Sequence, residues 1–128
     1  MSITNTLPQA KSHFISLQDA VAMTEKFRKN KDNILAPEFR NQIIIPFSET
    51  FNREAIEKLL SAENCAAIRI YYGMDEKMKL HAILVAVNDS NEDILPPEGA
   101  LSSADNPVIV EEGQRCPDFC PPKSPLNT

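Results

Sequence analysis

The chain has 128 residues, of which 42% are hydrophobic and 24% are charged. These fractions are close to the averages of globular proteins and exclude wholesale disorder, and the length is that of one domain. The formal net charge of −5 disfavours binding to nucleic acid or to an anionic membrane, because both repel an acidic surface. We therefore predict a folded protein that does not bind nucleic acid.

The amino-terminal part predicts one helix after a short leading segment. Residues 1–15 show no helical or strand pattern and are expected to be flexible or extended. Ser16 followed by Asp19 resembles a capping box, and apolar residues then recur at helical spacing, so a helix is predicted from Leu17 to Lys29. Its basic end is the best candidate patch for an anionic partner, but cations there also complement the helix dipole, which is the interpretation we favour.

The next segment predicts a connector and a second helix. Residues 42–45 form a short run rich in β-branched residues before Pro46, which is typical of an edge strand or an extended connector. Asn52 is a typical N-cap residue for a second helix that ends near Ala62. Both helices are predicted to present one apolar face to a sheet.

The sheet is predicted from the clearest pattern in the chain, a hairpin over residues 65–88 with its turn at Met74 to Lys77. The second strand is apolar on both faces from Ala82 to Val87, which indicates a position inside the sheet with both sides covered. Val108 to Val110 is a further candidate strand. The predicted fold class is α+β, with two helices packed on a small, mostly antiparallel sheet built around this hairpin.

The last segment, residues 114–128, is rich in proline and holds two of the three cysteines. We predict that it is an extended, semi-rigid tail. We further predict that it docks on a single domain formed by residues 1–113 or on a partner, because a preordered segment loses little entropy when it docks.

The two tail cysteines leave several kinds of chemistry open. Cys116 and Cys120 are separated by three residues, a spacing found in zinc-ligand pairs, and Cys65 and His81 are the residues that would complete a tetrahedral site. A thiol-redox pair and a disulfide are further alternatives. We favour free thiols, since the amino terminus has no secretory signal pattern, the apolar runs are too short to insert into a membrane, and a cytoplasmic location is therefore predicted.

A second candidate site lies on the hairpin. Arg69, Tyr71 and His81 are able to share one face of the two strands and to hold an anionic ligand, provided that the register places His81 on that face. Cross-strand aromatic and charged pairs also serve stability alone, which is the interpretation we favour.

Two stretches carry a resemblance to other proteins. The hairpin IRIYYGMDEKMKLHAILVAV and the closing CPDFCPPKSPLN resemble a group of small, uncharacterised bacterial proteins that join an Ile-Arg-Ile-Tyr-Tyr-Gly hairpin to a tail containing Cys-Pro. The resemblance covers residues 52–128. It implies a bacterial origin and a shared fold, and it assigns no catalytic residue because the group has no established activity.

These patterns favour a non-enzymatic function. His13 and His81 are the only histidines, and nothing in the spacing brings either one to a nucleophile. We predict an interaction or binding module without a cofactor, whose partner is another protein or a second copy of the chain. The alternative is a zinc-binding or thiol-redox protein that uses Cys65, His81, Cys116 and Cys120.

Overall fold

A computed structural model describes residues 6–97 and 107–128. The elements in chain order are helix α1 Leu17–Asn30, strand β1 Ser48–Thr50, helix α2 Arg53–Leu60, and strands β2 Ala67–Met74, β3 Leu80–Val87, β4 Asp93–Ile94 and β5 Gln114–Cys116. Short 3-10 helices precede α1 at Ala10–His13 and follow it at Pro37–Phe39. The predicted α+β class is confirmed.

The strands form two small sheets. Strands β1 and β5 pair antiparallel, with Glu49 opposite Arg115 and Ser48 opposite Cys116. The other sheet has the order β2-β3-β4, and Ala86 in β3 lies opposite Ile94 in β4. The predicted position of the apolar second hairpin strand inside the sheet is therefore confirmed.

The described chain divides into two compact units. The first contains residues 6–8, 51–73, 81–97 and 107–113, and the second contains residues 9–50, 74–80 and 114–128. The prediction of a single domain over residues 1–113 with a separate tail is not tested by this division and stays a prediction.

The core of the first unit lies between α2 and β3. Leu59 from α2 is fully buried and packs with Leu84 and Ala86 of β3 and with Val108 and Val110. Leu84 and Val110 exchange main-chain hydrogen bonds of 2.8 and 3.0 Å, so the predicted strand at residues 108–110 is present as a single bridge.

Helix α2 follows its predicted signals. The Asn52 side chain accepts a hydrogen bond of 2.8 Å from the main-chain nitrogen of Glu54, which satisfies one of the free donors at the helix start. The helix ends at Leu60, within two residues of the predicted end. Leu59 is buried while its neighbour Leu60 is 50% exposed, as expected for one apolar face.

The second unit contains α1, whose start is set by its predicted cap. The Ser16 hydroxyl accepts a hydrogen bond of 3.0 Å from the main-chain nitrogen of Asp19. No residue of α1 is buried, and Leu17 and Met23 are 64% and 67% exposed. Every residue of α1 is therefore half-buried or exposed, and the helix contributes no residue to a buried core in the described part of the chain.

The prediction for residues 42–45 is wrong. This segment forms turns, and the strand β1 begins only after Pro46. Asn41 and Ile43 have φ angles of 64° and 58°, which lie in the left-handed region and are incompatible with a strand. Buried Ile44 instead accepts a hydrogen bond of 2.8 Å from the main-chain nitrogen of Leu80.

The hairpin turn lies slightly later than predicted. One carboxylate oxygen of Asp75 accepts hydrogen bonds of 2.8 and 3.0 Å from the main-chain nitrogens of Lys77 and Lys79. Met78 takes a φ of 65°, which closes the turn. The side chain of Asp75 thus organises the loop in the way that aspartate does in many turns.

Candidate functional site

The predicted cluster on the hairpin is present in part. The structure brings Arg69 and Tyr71 together through Asp93, because the guanidinium donates to one oxygen of this carboxylate and the phenol donates to the other. The guanidinium also donates to the Asn91 side chain. Since Asp93 already pairs with Arg69, the cluster offers an anion little uncompensated positive charge.

Asp93 also affects the ionisation of its two partners. Its hydrogen bond to the phenol raises the pKa of Tyr71 above the ordinary value, and its hydrogen bond to the guanidinium raises the pKa of Arg69. Tyr71 thus stays neutral and Arg69 stays charged at any physiological pH.

His81 contacts another carboxylate, that of Glu111. Its Nδ1 lies 3.1 Å from Oε1 of Glu111, and the two side chains are 22% and 37% exposed. The ligand-binding role predicted for Arg69, Tyr71 and His81 is not tested by these contacts and stays a prediction.

The tail cysteines form a disulfide in this structure, whereas the sequence favoured free thiols. Cys116 and Cys120 are bonded to each other, with their Cα atoms 4.6 Å apart. The turn that brings them together is closed by a hydrogen bond of 3.0 Å from the main-chain nitrogen of Phe119 to the carbonyl of Arg115. Bridging depends on this local geometry, which sequence spacing alone does not determine.

The disulfide bears on the predicted zinc site. Zinc binds thiolates, and neither sulfur of the disulfide is one, so only the reduced chain would offer Cys116 and Cys120 as ligands. Cys65 is a free cysteine whose sulfur lies 3.4 Å from the carbonyl of Ala67. Within residues 6–97 and 107–128, no three His, Cys, Asp or Glu side chains are grouped as metal ligands.

The second unit contains a groove that sequence analysis did not predict. It has a volume of about 650 Å³ and lies among α1, β1 and the C-terminal segment, and we call it the tail groove. Its walls include Thr24, Phe27 and Arg28 from α1; Phe47, Ser48 and Thr50 around β1; and Cys116, Cys120 and residues 121–124, 126 and 127 of the tail. Its volume lies within the range usual for small-molecule sites.

Arg28 joins the helix wall to the tail wall. One guanidinium nitrogen donates a hydrogen bond of 2.7 Å to the main-chain oxygen of Leu126, and the other donates one of 2.7 Å to that of Thr128. A planar guanidinium with two forked donors is well suited to hold two oxygens at once. Arg28 thus fixes the end of the tail against α1.

The strand wall and the tail wall are joined at Cys116. The main-chain nitrogen of Phe47 donates a hydrogen bond of 2.7 Å to the carbonyl of Cys116, at the edge of the β1-β5 pair. The Phe47 ring in turn lies under the ammonium of Lys31, 4.8 Å from the ring centroid. This cation-π contact holds the ring at the groove.

The last turn of the tail stabilises its own shape. The Ser124 main-chain nitrogen donates to the Asn127 side chain at 2.8 Å, and the Asn127 main-chain nitrogen donates to the Ser124 carbonyl at 3.1 Å. The Asn127 amide also donates to the Pro122 carbonyl at 3.1 Å. This wall is therefore a folded turn held by reciprocal hydrogen bonds.

The lining of the groove is apolar with a positive charge. Three large side chains on its walls remain partly exposed: Phe27 at 37%, Phe47 at 44% and Leu126 at 43%. Its charged lining residues are Arg28 and Lys123, and none of the lining residues is Asp, Glu or His. The groove is thus suited to an apolar ligand and electrostatically disfavours a cation.

Sequence analysis identified only part of these residues. The sequence predicted the helix that carries Phe27 and Arg28, but no spacing linked either residue to the tail. The groove depends on contacts between residues about a hundred positions apart, such as Arg28 with Leu126 and Thr128. Such contacts leave no local signal in the sequence.

The chain matches no protein-family model, no curated protein and no solved structure. The resemblance to small bacterial proteins stays a prediction. In the described residues, no helix has the length and apolar character needed to cross a membrane.

Proposed function

We propose that the protein is a non-enzymatic binding module and that the tail groove is its binding site. The observation that carries this proposal is a groove of about 650 Å³ whose wall leaves Phe27, Phe47 and Leu126 partly exposed. A bound apolar molecule would remove this surface from water, which is the main driving force for binding in such sites.

The chemistry of the lining supports binding over catalysis. Its described residues include no imidazole and no carboxylate, the groups that most often transfer protons in active sites. In the disulfide form that this structure shows, its two sulfur atoms are not nucleophilic thiolates. Its hydroxyl and amide groups, such as those of Ser48 and Asn127, are suited to orient a ligand.

A neutral apolar dye, Nile red, tests this proposal. We expect one dye molecule to bind per chain with increased fluorescence. The variant Thr50→Trp places a large ring on an exposed lining position and should weaken dye binding at least tenfold. The control Ser90→Trp changes an exposed loop residue of the first unit and should leave binding unchanged. Equal dye binding by both variants, or no binding by the unaltered protein, would contradict the proposal.

Self-association is a second candidate function, favoured by one observation in the second unit. Phe14 and Ile15, just before α1, and Leu17, its first residue, are 77%, 60% and 64% exposed. Adjacent exposed apolar side chains of this size are typical of surfaces that contact another protein. A second copy of the chain is the partner that we propose for them.

Sedimentation equilibrium tests the second candidate. We expect a dimer or larger assembly whose dissociation constant rises at least tenfold in Leu17→Glu. The control Gln18→Glu adds the same charge at the neighbouring exposed position and should not change the assembly. A monomer at high protein concentration, or equal effects of the two variants, would refute this candidate.

A further inference from the structure

We infer that the ligand of the tail groove is a small amphiphilic anion, namely a hydrocarbon chain or ring that bears a carboxylate or a similar anionic group. The inference rests on the proposed binding function and adds the chemical class of the ligand. Two features carry it, namely the exposed apolar side chains of the wall and the sign of the charge around them.

The apolar part of the ligand is specified by the three partly exposed side chains. Phe27 belongs to α1, Phe47 precedes β1 and Leu126 lies in the last turn of the tail, so the apolar surface comes from all three walls. Each exposes between 37% and 44% of its surface. A ligand surrounded on three sides by such groups is itself largely hydrocarbon.

The anionic part is specified by the charged groups. Lys123 and Arg28 are the charged lining residues, and no acidic side chain lines the groove to neutralise them. The Arg28 guanidinium is already held by the main-chain oxygens of Leu126 and Thr128, so Lys123 is the lining cation that remains available to a ligand. Lys123 is exposed and has no ion pair in the part of the chain that the structure describes.

The surrounding charge has the same sign. The second unit contains ten Lys and Arg residues and eight Asp and Glu residues, so its formal net charge is +2, although that of the whole chain is −5. The groove thus lies in the cationic part of an acidic protein. A local positive potential of this kind attracts anions.

The two cationic residues have different roles. Arg28 fixes the tail through two hydrogen bonds and is a positioning residue, whereas Lys123 has a flexible side chain whose three donors are available to a ligand. We expect the anionic group of the ligand to contact Lys123. A test should therefore change Lys123 and leave Arg28 intact.

Isothermal titration calorimetry with octanoate and 1-octanol tests this inference, because the two ligands share a chain length and differ in charge. We expect octanoate to bind more tightly than 1-octanol by about twofold to fivefold at low salt. The variant Lys123→Gln should weaken octanoate binding more than 1-octanol binding and so remove this difference. The control Lys11→Gln changes an exposed lysine of the same unit that does not line the groove and should have no effect.

The outcomes separate this inference from the proposed function. Equal affinities for octanoate and 1-octanol, with no effect of Lys123→Gln, would overturn the anionic ligand class and leave the binding function in place. Tighter binding of octylammonium than of octanoate would overturn it as well. Failure of Nile red and both octyl ligands to bind would refute the function itself.

Discussion

Arg115 and Glu49 are direct partners across the β1-β5 pair, and Nε of the arginine lies 3.9 Å from Oε1 of the glutamate. Both side chains are largely buried, at 12% and 10% exposed. Arg115 also donates hydrogen bonds to the carbonyls of Leu80, Ile43 and Ile44, at 3.1, 3.0 and 3.2 Å. One guanidinium thus joins the three chain segments that make up the second unit.

Replacing this guanidinium should destabilise the protein strongly. Arg115→Met keeps an apolar stem but leaves Glu49 buried opposite a neutral side chain and deprives three carbonyls of a donor. Breaking one partner of a buried ion pair costs about 3–5 kcal/mol. We expect a loss of this size in the free energy of unfolding, measured by urea denaturation at neutral pH.

Two further variants test the reason for that loss. Glu49→Gln combined with Arg115→Met removes the buried charge and should recover part of the stability. Arg53→Met removes an arginine whose side chain is 89% exposed and should change the free energy of unfolding by less than about 0.5 kcal/mol. An Arg115→Met protein as stable as the unaltered one would show that Arg115 does not hold the unit together.

Neighbouring leucines of α2 should respond differently to truncation. Leu59 is fully buried in the core of the first unit and Leu60 is 50% exposed. Leu59→Ala leaves a cavity and should lower the free energy of unfolding by about 2–5 kcal/mol. Leu60→Ala should lower it by less than about 1 kcal/mol. Thermal and urea denaturation of both variants check this difference, and similar losses would disprove the described packing of α2.

The ionisation of Tyr71 should depend on Asp93. The hydrogen bond to the Asp93 carboxylate raises the pKa of Tyr71, so ultraviolet titration of a Tyr72→Phe background should give a pKa above the usual value of about 10. Asp93→Asn should bring that pKa back towards 10. A pKa unaffected by Asp93→Asn would show that the hydrogen bond does not exist in solution.

The same shift has a consequence for stability. The pKa of Tyr71 is higher in the folded chain than in the unfolded chain, so folding favours the neutral phenol over the phenolate. Its contribution is therefore complete below a pH of about 10 and is lost as the pH rises through the raised pKa. Denaturation in the alkaline range should show this decline, and Asp93→Asn should reduce it.

Reduction of the disulfide should weaken the tail groove. Cys116 and Cys120 are separated by four positions, so their disulfide closes a short loop. Loop entropy predicts that this bond stabilises the folded chain by about 2 kcal/mol. We expect reductant to lower the melting temperature and the affinity for Nile red, since Cys116 and Cys120 both line the groove. Cys65→Ser should respond like the unaltered protein, because Cys65 is free.

The matching control removes the bond itself. The double variant Cys116→Ser with Cys120→Ser should have the melting temperature of the reduced protein, with or without reductant. A reductant effect that persists in this variant would show that the effect has another origin.

The disulfide also bears on the predicted compartment. Disulfides persist in oxidising environments, and a reducing cytoplasm would keep Cys116 and Cys120 as thiols. The predicted cytoplasmic location therefore implies that the tail is reduced in the cell, and it stays a prediction.

The helices and the hairpin were predictable because their signals are local. Ser16 and Asn52 cap the two helices through hydrogen bonds to residues two or three positions away. The apolar run of β3 correctly indicated an inner strand, since β3 lies between β2 and β4 and its residues 84–87 are all buried. Such features depend on short stretches of sequence that alone determine the geometry.

The second unit was not predictable because its contacts are long-range. Strands β1 and β5 have three residues each, too few to show an alternating pattern, and they pair across more than sixty residues. Residues 42–45 were predicted to be an edge strand or an extended connector, but they form turns in which the carbonyls of Ile43 and Ile44 accept hydrogen bonds from Arg115. The tail groove was missed for the same reason, because its walls come from segments that are far apart along the chain.

The pairing of β1 with β5 has a consequence for the time course of folding. During synthesis Glu49 emerges long before Arg115, so β1 has no pairing partner while residues 51–113, which include most of the first unit, are made. Closing so long a loop is slow relative to local helix and hairpin formation. The first unit should therefore form early, and completion of the second should set the overall folding rate.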